Sequence, residues 1–400
     1  MKRLLMIAYY FPPLGMAGVQ RPFHFARYLP EFGWEPLILT VKDIAYYARD
    51  PRLAAEARRM RVFRSESLDV SRLLYLMGKK QVQLSLRNER ISRFTLNFFL
   101  LPDARVPWLP FALALGSRII RQYRPQALYS VSPPYTSHLV ALMLKGRFKI
   151  PWVADFTDLW PTGHRVPSPV HRSLHTRIRR FIVRKADVPV KVYQNIDLGP
   201  RAVLIEHGYD PEMFELQVSP EERIPGTQPG AFVILYTGVL ADKGAGVWAF
   251  LRALKRVEGF QLVIAGEAGA EVHRFVEREN LKDRVVFLGY VPHERVPRLM
   301  LLADALWFVF PYVSASMKLY EYIGSGKPIL FQAPSWSEAS RVARKSESVV
   351  FLPDQEDQIV QILREIRSLK GLRFPPPEEY SRRYQAQVLA NQLDRIARLA

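Results

Sequence analysis

The sequence predicts an α/β protein built from two doubly wound domains that face each other across a cleft. Three observations carry this. Short, near-continuous apolar runs alternate with helical stretches through the first half of the chain, as the buried strands of parallel sheets require. A second series with the same rhythm occupies the other half. Between them lies "SPEERIPGTQPG", Ser219–Gly230, whose polar, proline- and glycine-rich composition suits a linker or a domain entry. The boundaries follow: residues 1–195 for the first domain, 196–375 for the second, and a closing helix over 376–400 that crosses back to the first.

In the first domain "RLLMIAYYF" is the opening strand. It is basic and then apolar, like a secretory leader, but it runs directly into Pro12, Pro13 and a glycine loop without a small-residue cleavage pattern, so the strand is preferred. "VQRPFHFARYLPEFG" is helical and stops at Gly33. "EPLILTV", "QALYSVS", "PWVADF" and "ADVPVKV" are further strands, with helices over Phe111–Tyr123 and Thr136–Leu144. Residues 52–100 break the rhythm. They mix basic and large apolar residues, and form either an amphipathic surface for anionic lipid or an ordinary helical insertion with its apolar face in the core.

The second series runs "AFVILYTG", a helix near Gly246–Val257, "FQLVIAG", a helix over Ala270–Glu279, "RVVFLGY", a helix over Val296–Ala303, "ALWFVF", and then the corner "ASMKLYEYIGSGKPILF". The chain ends in helical "EEYSRRYQAQVLANQLDRIARLA".

Composition bounds the function. The chain of 400 residues carries 57 Lys and Arg against 38 Asp and Glu, a net +19. That balance suits polyanions, whether nucleic acid, an anionic membrane face or phosphorylated substrates, or a merely solvated basic surface. There is no cysteine, hence no disulfide framework or cysteine metal site, which agrees with a cytoplasmic location. No apolar run approaches the ~20 residues of a bilayer span. The aromatic and basic strand signatures of common RNA modules are lacking, so nucleic acid is not an expected partner.

The corner holds the densest chemistry. Ser314 or Ser316 can cap a helix starting at Met317, which puts Lys318 in its first turn and Glu321 one turn on, along a shared face. A cation is unfavourable there unless an anion such as a diphosphate binds the helix start. An ionised carboxylate only accepts hydrogen bonds and could hold ribose hydroxyls. The plainer alternative is a surface ion pair. "YTGVLADKG", "IAGEAG", "FLGYVPHE" and "PPLGMAGVQR" place Gly238 with Lys243, Gly266, Gly289, and Gly15 with Gly18 in loops that follow strands, where doubly wound sheets bind ligands. Neither a Walker loop nor a GxGxxG pattern is present, and no Asp-x-Asp or histidine set suggests a metal.

Taken in order, "IAYYFPPLGMAGVQRPFHFARYLPEFGWEPLILT", "SPPYTSHLVAL", "PWVADFTDLW", "EHGYDPEMF", "FLGYVPHERVPRLMLLADAL" and "KLYEYIGSGKPIL" resemble the blocks of family 4 glycosyltransferases, which are retaining enzymes with the two-domain GT-B fold. The resemblance spans the chain except residues 52–100. It implies transfer of a hexose-like sugar, without a metal or other cofactor, from a nucleotide-diphosphate donor to the hydroxyl of a saccharide or lipid-linked acceptor, in polysaccharide or glycolipid assembly at the cytoplasmic face of a membrane.

Glu321 then matches the ribose-binding glutamate and Lys243 the diphosphate lysine. Lys318 joins them as a cation, with Ser316, Leu319 and neighbouring amides as the phosphate cradle. Gly238 and Gly266 line the donor loops, and Gly289, Tyr290 and Val291 lie beside the base. Gly15 and Gly18 approach the donor phosphates and the acceptor. Asp155 and Asp158 position the acceptor or the donor sugar, although Asp155 equally suits a cap or loop hydrogen bond. Arg21 and His138 stand on the acceptor side, where His138 could also be a core histidine. His164, His171 and His175 fall in a basic loop. The sequence departs from the family pattern at Val313, where the first of two glutamates is usual, at Val239 in place of an arginine, at Thr157 and at His207. These departures motivate the rival reading of a non-catalytic nucleotide-sugar-binding or assembly protein on the same fold.

Overall fold

The computed structural model describes the chain except residues 16, 83–99, 159, 162–167, 220, 241–244 and 399–400. The chain divides into two compact units, residues 1–206 with 382–400, and residues 207–381.

Unit 1 contains strands β1 (Lys2–Ile7), β2 (Trp34–Val41), β3 (Arg61–Ser65), β4 (Ala127–Ser132), β5 (Trp152–Phe156), β6 (Val188–Lys191) and β7 (Val203–Leu204). Its helices are α1 (Ala17–Tyr28), α2 (Pro51–Ala57), α3 (Val70–Leu76), α4 (Leu109–Tyr123), α5 (Thr136–Phe148) and α6 (Pro169–Lys185). The strands pair in parallel in the order β3-β2-β1-β4-β5-β6-β7. β1 is buried from Leu4 onward and β4 along its whole length because helices cover both faces of the sheet. The break after α1 is set by Gly33, whose φ of 82° ends a short 3-10 turn and whose N–H caps the Leu29 and Pro30 carbonyls.

Unit 2 contains β8 (Phe232–Thr237), α7 (Ala245–Lys255), β9 (Phe260–Ala265), α8 (Ala270–Arg278), β10 (Val285–Gly289), α9 (Val296–Leu302), β11 (Ala305–Val309), α10 (Met317–Gly324), β12 (Ile329–Gln332), α11 (Glu338–Ala343), β13 (Val349–Phe351) and α12 (Glu356–Glu365). The sheet order is β10-β9-β8-β11-β12-β13, parallel throughout. Trp307 stacks on Phe250 at 4.1 Å in a core that also takes in Ile234, Leu262, Leu330 and Leu363. Each unit is a Rossmann-like domain, and each reverses strand order once, between β1 and β4 and between β8 and β11. Helix α13 (Arg382–Ala397) completes unit 1. Its Asp394 accepts from the Trp34 indole (2.8 Å) and from Lys2 (2.7 Å), and Arg383 pairs with Glu31 (2.6 Å).

Two elements differ from the sequence expectation. Residues 52–65 do not break the rhythm: α2 and β3 continue the parallel sheet, with β3 as its edge strand. The rest of the expected insertion falls partly on residues 83–99, outside the described residues. The histidines expected in a basic loop separate: His171 and His175 lie in α6, capped by Ser168 and opened by Pro169, while His164 is outside the described residues. Among the described residues no helix is long and apolar enough to cross a membrane.

Candidate functional site

In a doubly wound sheet the point of strand-order reversal leaves a crevice beyond the strand C-termini. In unit 2 that is where β8 and β11 end. β8 runs into Gly238, whose φ of 92° favours glycine. The neighbouring strand β9 runs into Gly266, and the two turns interlock. The Gly238 N–H donates to the Ala265 carbonyl (2.9 Å), and a Cβ at Gly266 would stand 2.1 Å from the Gly238 carbonyl oxygen. Gly266 also bridges to Gly289 at the end of β10. Three of the glycines singled out from the sequence thus come together.

α10 follows β11, and its residues face the same turns. Ser316 is the cap, its hydroxyl accepting from the Lys318 N–H (3.3 Å), while Ser314 takes no such role. The Leu319 N–H donates to the Ser316 carbonyl (3.0 Å), and its side chain is fully buried. Lys318 extends from the first turn toward β8. Its Nζ lies 4.0 Å from the Tyr236 ring centroid and would be 3.3 Å from a Cβ at Gly238. Burial pushes the Lys318 ammonium down to about 8, with nearby Glu321 acting the other way. Glu321 is largely buried, and its Oε1 lies 3.5 Å from Nε2 of the exposed His293. Tyr322 fixes α10 to β8, its hydroxyl accepting from the Thr237 N–H at 2.9 Å. Helix α10 closes against a tight contact, since a Cβ at Gly324 would stand 2.4 Å from the Tyr209 ring.

Tyr290 is 80% exposed, so its ring is open to a flat partner such as a base. Val291 beside it is half-buried. Lys243 lies outside the described residues. Val239 and Val313, which replace the expected cation and carboxylate, are both exposed.

Unit 1 separates the remaining candidates. Arg21 and Asp155 meet in the interior: Nε to Oδ2 at 2.7 Å and Nη2 to Oδ1 at 3.2 Å. The Tyr129 hydroxyl donates to the same carboxylate at 2.5 Å, and Arg21 also donates to the Ile205 (2.8 Å) and Glu206 (2.7 Å) carbonyls. Burial works against the Arg21 charge, but Asp155 and Tyr129 outweigh it and raise its pKa. Burial beside Asp155 raises Tyr129 far above the ordinary phenol range. The carboxylate therefore accepts three hydrogen bonds from its own fold.

Asp158, just past β5, accepts from the Tyr135 hydroxyl at 2.9 Å, and Tyr135 stacks on Trp160 at 4.0 Å. His138 is wholly buried, bonded to Ser130 (2.7 Å) and packed on Phe156 (4.5 Å), and burial lowers its pKa to about 3. It is a core histidine among the described residues. Gly15 is anchored by its N–H to the Ala48 carbonyl (2.9 Å), and Gly18 lies in the first turn of α1 against Tyr10.

Sequence reasoning missed His293 and Tyr236, although "FLGYVPHE" and "YTG" sit in the quoted loops. It also missed a buried group beside the Gly15 loop. There Asp69 accepts from Tyr9 (2.6 Å) and Arg105 (2.8 Å), residues so far apart in sequence that no local spacing joins them. No cluster of three or more His, Asp or Glu that could hold a metal occurs among the described residues.

Residues 231–368 match the family model of glycosyl transferases group 1. The matched segment contains the glycine turns, Lys318, Glu321 and His293, all within unit 2. Among curated proteins, none matches the chain in sequence. Solved structures with similar folds include sucrose-phosphate synthase from Thermosynechococcus elongatus, at 14% identity, TM-score 0.57, covering 99% of this chain and 96% of that one. HepE of Anabaena, solved with UDP and glucose, has 15% identity, TM-score 0.55 and coverage of 100% and 98%. UDP-GlcNAc 2-epimerase from Neisseria meningitidis, bound to UDP-GlcNAc, has 13% identity, TM-score 0.53 and coverage of 99% and 100%. At these identities the likeness is one of fold.

Proposed function

We propose that the chain is a glycosyltransferase that moves a hexose-like sugar from a nucleoside diphosphate donor to an acceptor hydroxyl with retention of configuration. The observation that supports this best is the half-buried Lys318 ammonium at the strand-order reversal of the matched domain, set over Tyr236 and against Gly238. The reaction needs stabilisation of the charge that develops on the departing diphosphate. A desolvated cation and the amide end of α10 provide that without reorganisation at the moment of bond cleavage. Lys243 adds a second cation in this reading, and neither step calls for a metal. Glu321 accepts from the donor ribose hydroxyls, exchanging its contact with His293 for the ligand. Tyr290 offers its open ring to the base. The acceptor is a saccharide or a lipid-linked saccharide handled at the inner face of a membrane, as polysaccharide or glycolipid assembly requires.

Within this reading Asp155 and Arg21 act as a structural pair that shapes the first domain, and Asp158 with the Gly15 and Gly18 loop is left to meet the sugar and the acceptor. A second reading, a nucleotide-sugar-binding protein without turnover, is favoured by exposed Val239 and Val313, which withdraw one cation and one carboxylate from the family pattern.

The test is thermal stabilisation by a panel of nucleoside diphosphates and their sugars, repeated on Lys318→Met, Glu321→Ala and Lys243→Ala, followed by chromatography of labelled donor with candidate acceptors. Stabilisation by one nucleotide that all three variants lose places the donor at this corner. Labelled sugar on the acceptor supports transfer. Binding without any product supports the second reading. Conversion of a donor into its epimer without acceptor would sink the transferase reading, since UDP-sugar epimerases share the fold.

A further inference from the structure

We infer that helix α6 is a docking face for anionic phospholipid bilayers. Six of its 17 residues are Arg or Lys and none is Asp or Glu, so the helix cannot neutralise itself through pairs along its own surface. Its surface is organised rather than mixed. Val170, Leu174, Arg177, Phe181 and Arg184 recur at spacings of four and three, which places them on one face, and every one of them is exposed. Val170 is 67% exposed, Leu174 36% and Phe181 43%. A second stripe, His175, Ile178 and Ile182, about a third of a turn round the helix, is turned inward, with His175 bonded to the Trp160 indole at 2.9 Å.

A solvated helix face has no use for three large apolar side chains set among arginines. A nucleic-acid face would use the cations but leave Val170 and Leu174 without a partner. A bilayer surface satisfies both groups: phosphates meet the guanidinium groups, and the apolar side chains enter the headgroup boundary. Arg184 and Lys185 lie 5.6 Å and 5.8 Å from the Phe181 ring centre, which keeps two cations beside the ring.

The positive face continues past the end of the helix. Lys185 also lines an open depression of about 930 Å³ where α5, α6 and α13 end, together with Lys145, Lys149, Arg201 and Arg395, against a single acid, Asp187. Asp187 is engaged by Lys145, and Arg201 caps the carbonyls of Val183 and Ala186. Lys149 and Arg395 have no ion pair among the described residues, and are available to a headgroup phosphate. The depression lies at the edge of the sheet where β5 and β6 begin, opposite the strand ends that carry the candidate site loops. The inference stands on this face alone and does not depend on the transferase reading.

The experiment is co-sedimentation of the full chain with vesicles of phosphatidylcholine alone and of equal parts phosphatidylcholine and phosphatidylglycerol, at low and high salt. Binding to the anionic vesicles that salt weakens is expected, with none to the neutral ones. Arg177→Gln/Arg180→Gln/Arg184→Gln should lower the partition coefficient about fivefold per cation, on the order of a hundredfold together. A control triple in the other unit, Arg274→Gln/Arg278→Gln/Lys282→Gln, removes the same charge and should change it little. Equal losses in both triples would overturn the assignment in favour of net charge. Unchanged binding by the α6 triple would overturn it in favour of another patch, such as exposed Leu73, Leu76 and Met77. Binding to RNA but not to vesicles would replace it with a nucleic-acid face.

Because the chain has no cysteine, Phe181→Cys offers a single labelling site. An environment-sensitive dye there should shift to the blue on anionic vesicles while circular dichroism is unchanged. An unshifted dye would show that the helix does not enter the bilayer.

Discussion

The ammonium of Lys318 stands 4.0 Å from the centre of the Tyr236 ring, inside the turn that Gly238 makes at the end of β8. Burial there brings its pKa down from 10.5 to about 8. A diphosphate at this corner would favour the charged form, so binding takes up a proton wherever the free protein has lost it. Affinity for a nucleoside diphosphate is therefore expected to hold steady below about pH 8 and to fall by up to about tenfold per pH unit above it. Lys318→Met should bind more weakly and show no such fall. Titration calorimetry at several pH values in buffers of different ionisation enthalpy measures both the affinity and the proton count.

The same group links stability to pH. Between about 8 and 10.5 the unfolded chain keeps a proton on Lys318 that the folded chain has released, so stability of the unliganded protein rises as pH climbs through that window. The cost of holding the charge in the fold is fully present below about 8. Lys318→Met should abolish that part of the slope, as denaturant unfolding at a series of alkaline pH values would measure.

The interlocked turns make a separate prediction. A Cβ at Gly266 would lie 2.1 Å from the Gly238 carbonyl oxygen, and φ of 145° is itself hostile to a side chain. Gly266→Ala is expected to destabilise unit 2 by roughly 3 kcal/mol or more. At Gly238 the added methyl meets only the mobile end of Lys318 at 3.3 Å, with φ at 92°. Gly238→Ala should cost less stability, roughly 1–2 kcal/mol, while displacing the ammonium and weakening nucleotide binding. Unfolding curves beside binding isotherms separate the two effects. Gly266→Ala with wild-type stability would refute the close approach.

Which parts of this were legible in the sequence follows from how local the physics is. The strands of unit 2 and the start of α10 at Ser316 were readable because apolar runs and caps act over a few residues. The gathering of Gly238, Gly266 and Gly289 was readable from their common place after strands. β3 was not, because "RVFRS" at a sheet edge carries charges where a buried strand would be apolar. The α6 segment reads as a basic loop because prolines and histidines crowd its start, although Ser168 and Pro169 form a plain helix start. The Arg21–Asp155 pair was split between two roles because its partners lie 134 positions apart, a distance over which spacing says nothing.

Glu321 gives a prediction about ligand chemistry rather than stability. Its carboxylate is largely buried, and the exposed His293 lies 3.5 Å from it, at a position a ligand could take over. If it accepts from both ribose hydroxyls, the wild type should prefer a ribonucleoside diphosphate over its 2′,3′-dideoxy analogue by roughly 10–100-fold, as a charged hydrogen-bond acceptor supports. Glu321→Ala should bind the two alike. His293→Ala should leave the preference intact, since the histidine is exchanged on binding. Competitive displacement with the two analogues measures this, and an unchanged preference in Glu321→Ala would move the ribose elsewhere.

The last prediction concerns the buried pair of unit 1. Arg21→Met would leave the Asp155 carboxylate with Tyr129 alone in a site that excludes water, and is expected to cost roughly 3–5 kcal/mol. Asp155→Asn strands the guanidinium in the same way and should cost a comparable amount. Arg21→Met/Asp155→Asn removes both charges and should recover part of that loss, so the cycle reports a large coupling between the two positions. Nucleotide binding by unit 2 should survive in all three at temperatures where they remain folded. An Asp155→Asn variant of normal stability that binds donor yet fails to turn it over would contradict the structural role and return Asp155 to the chemistry.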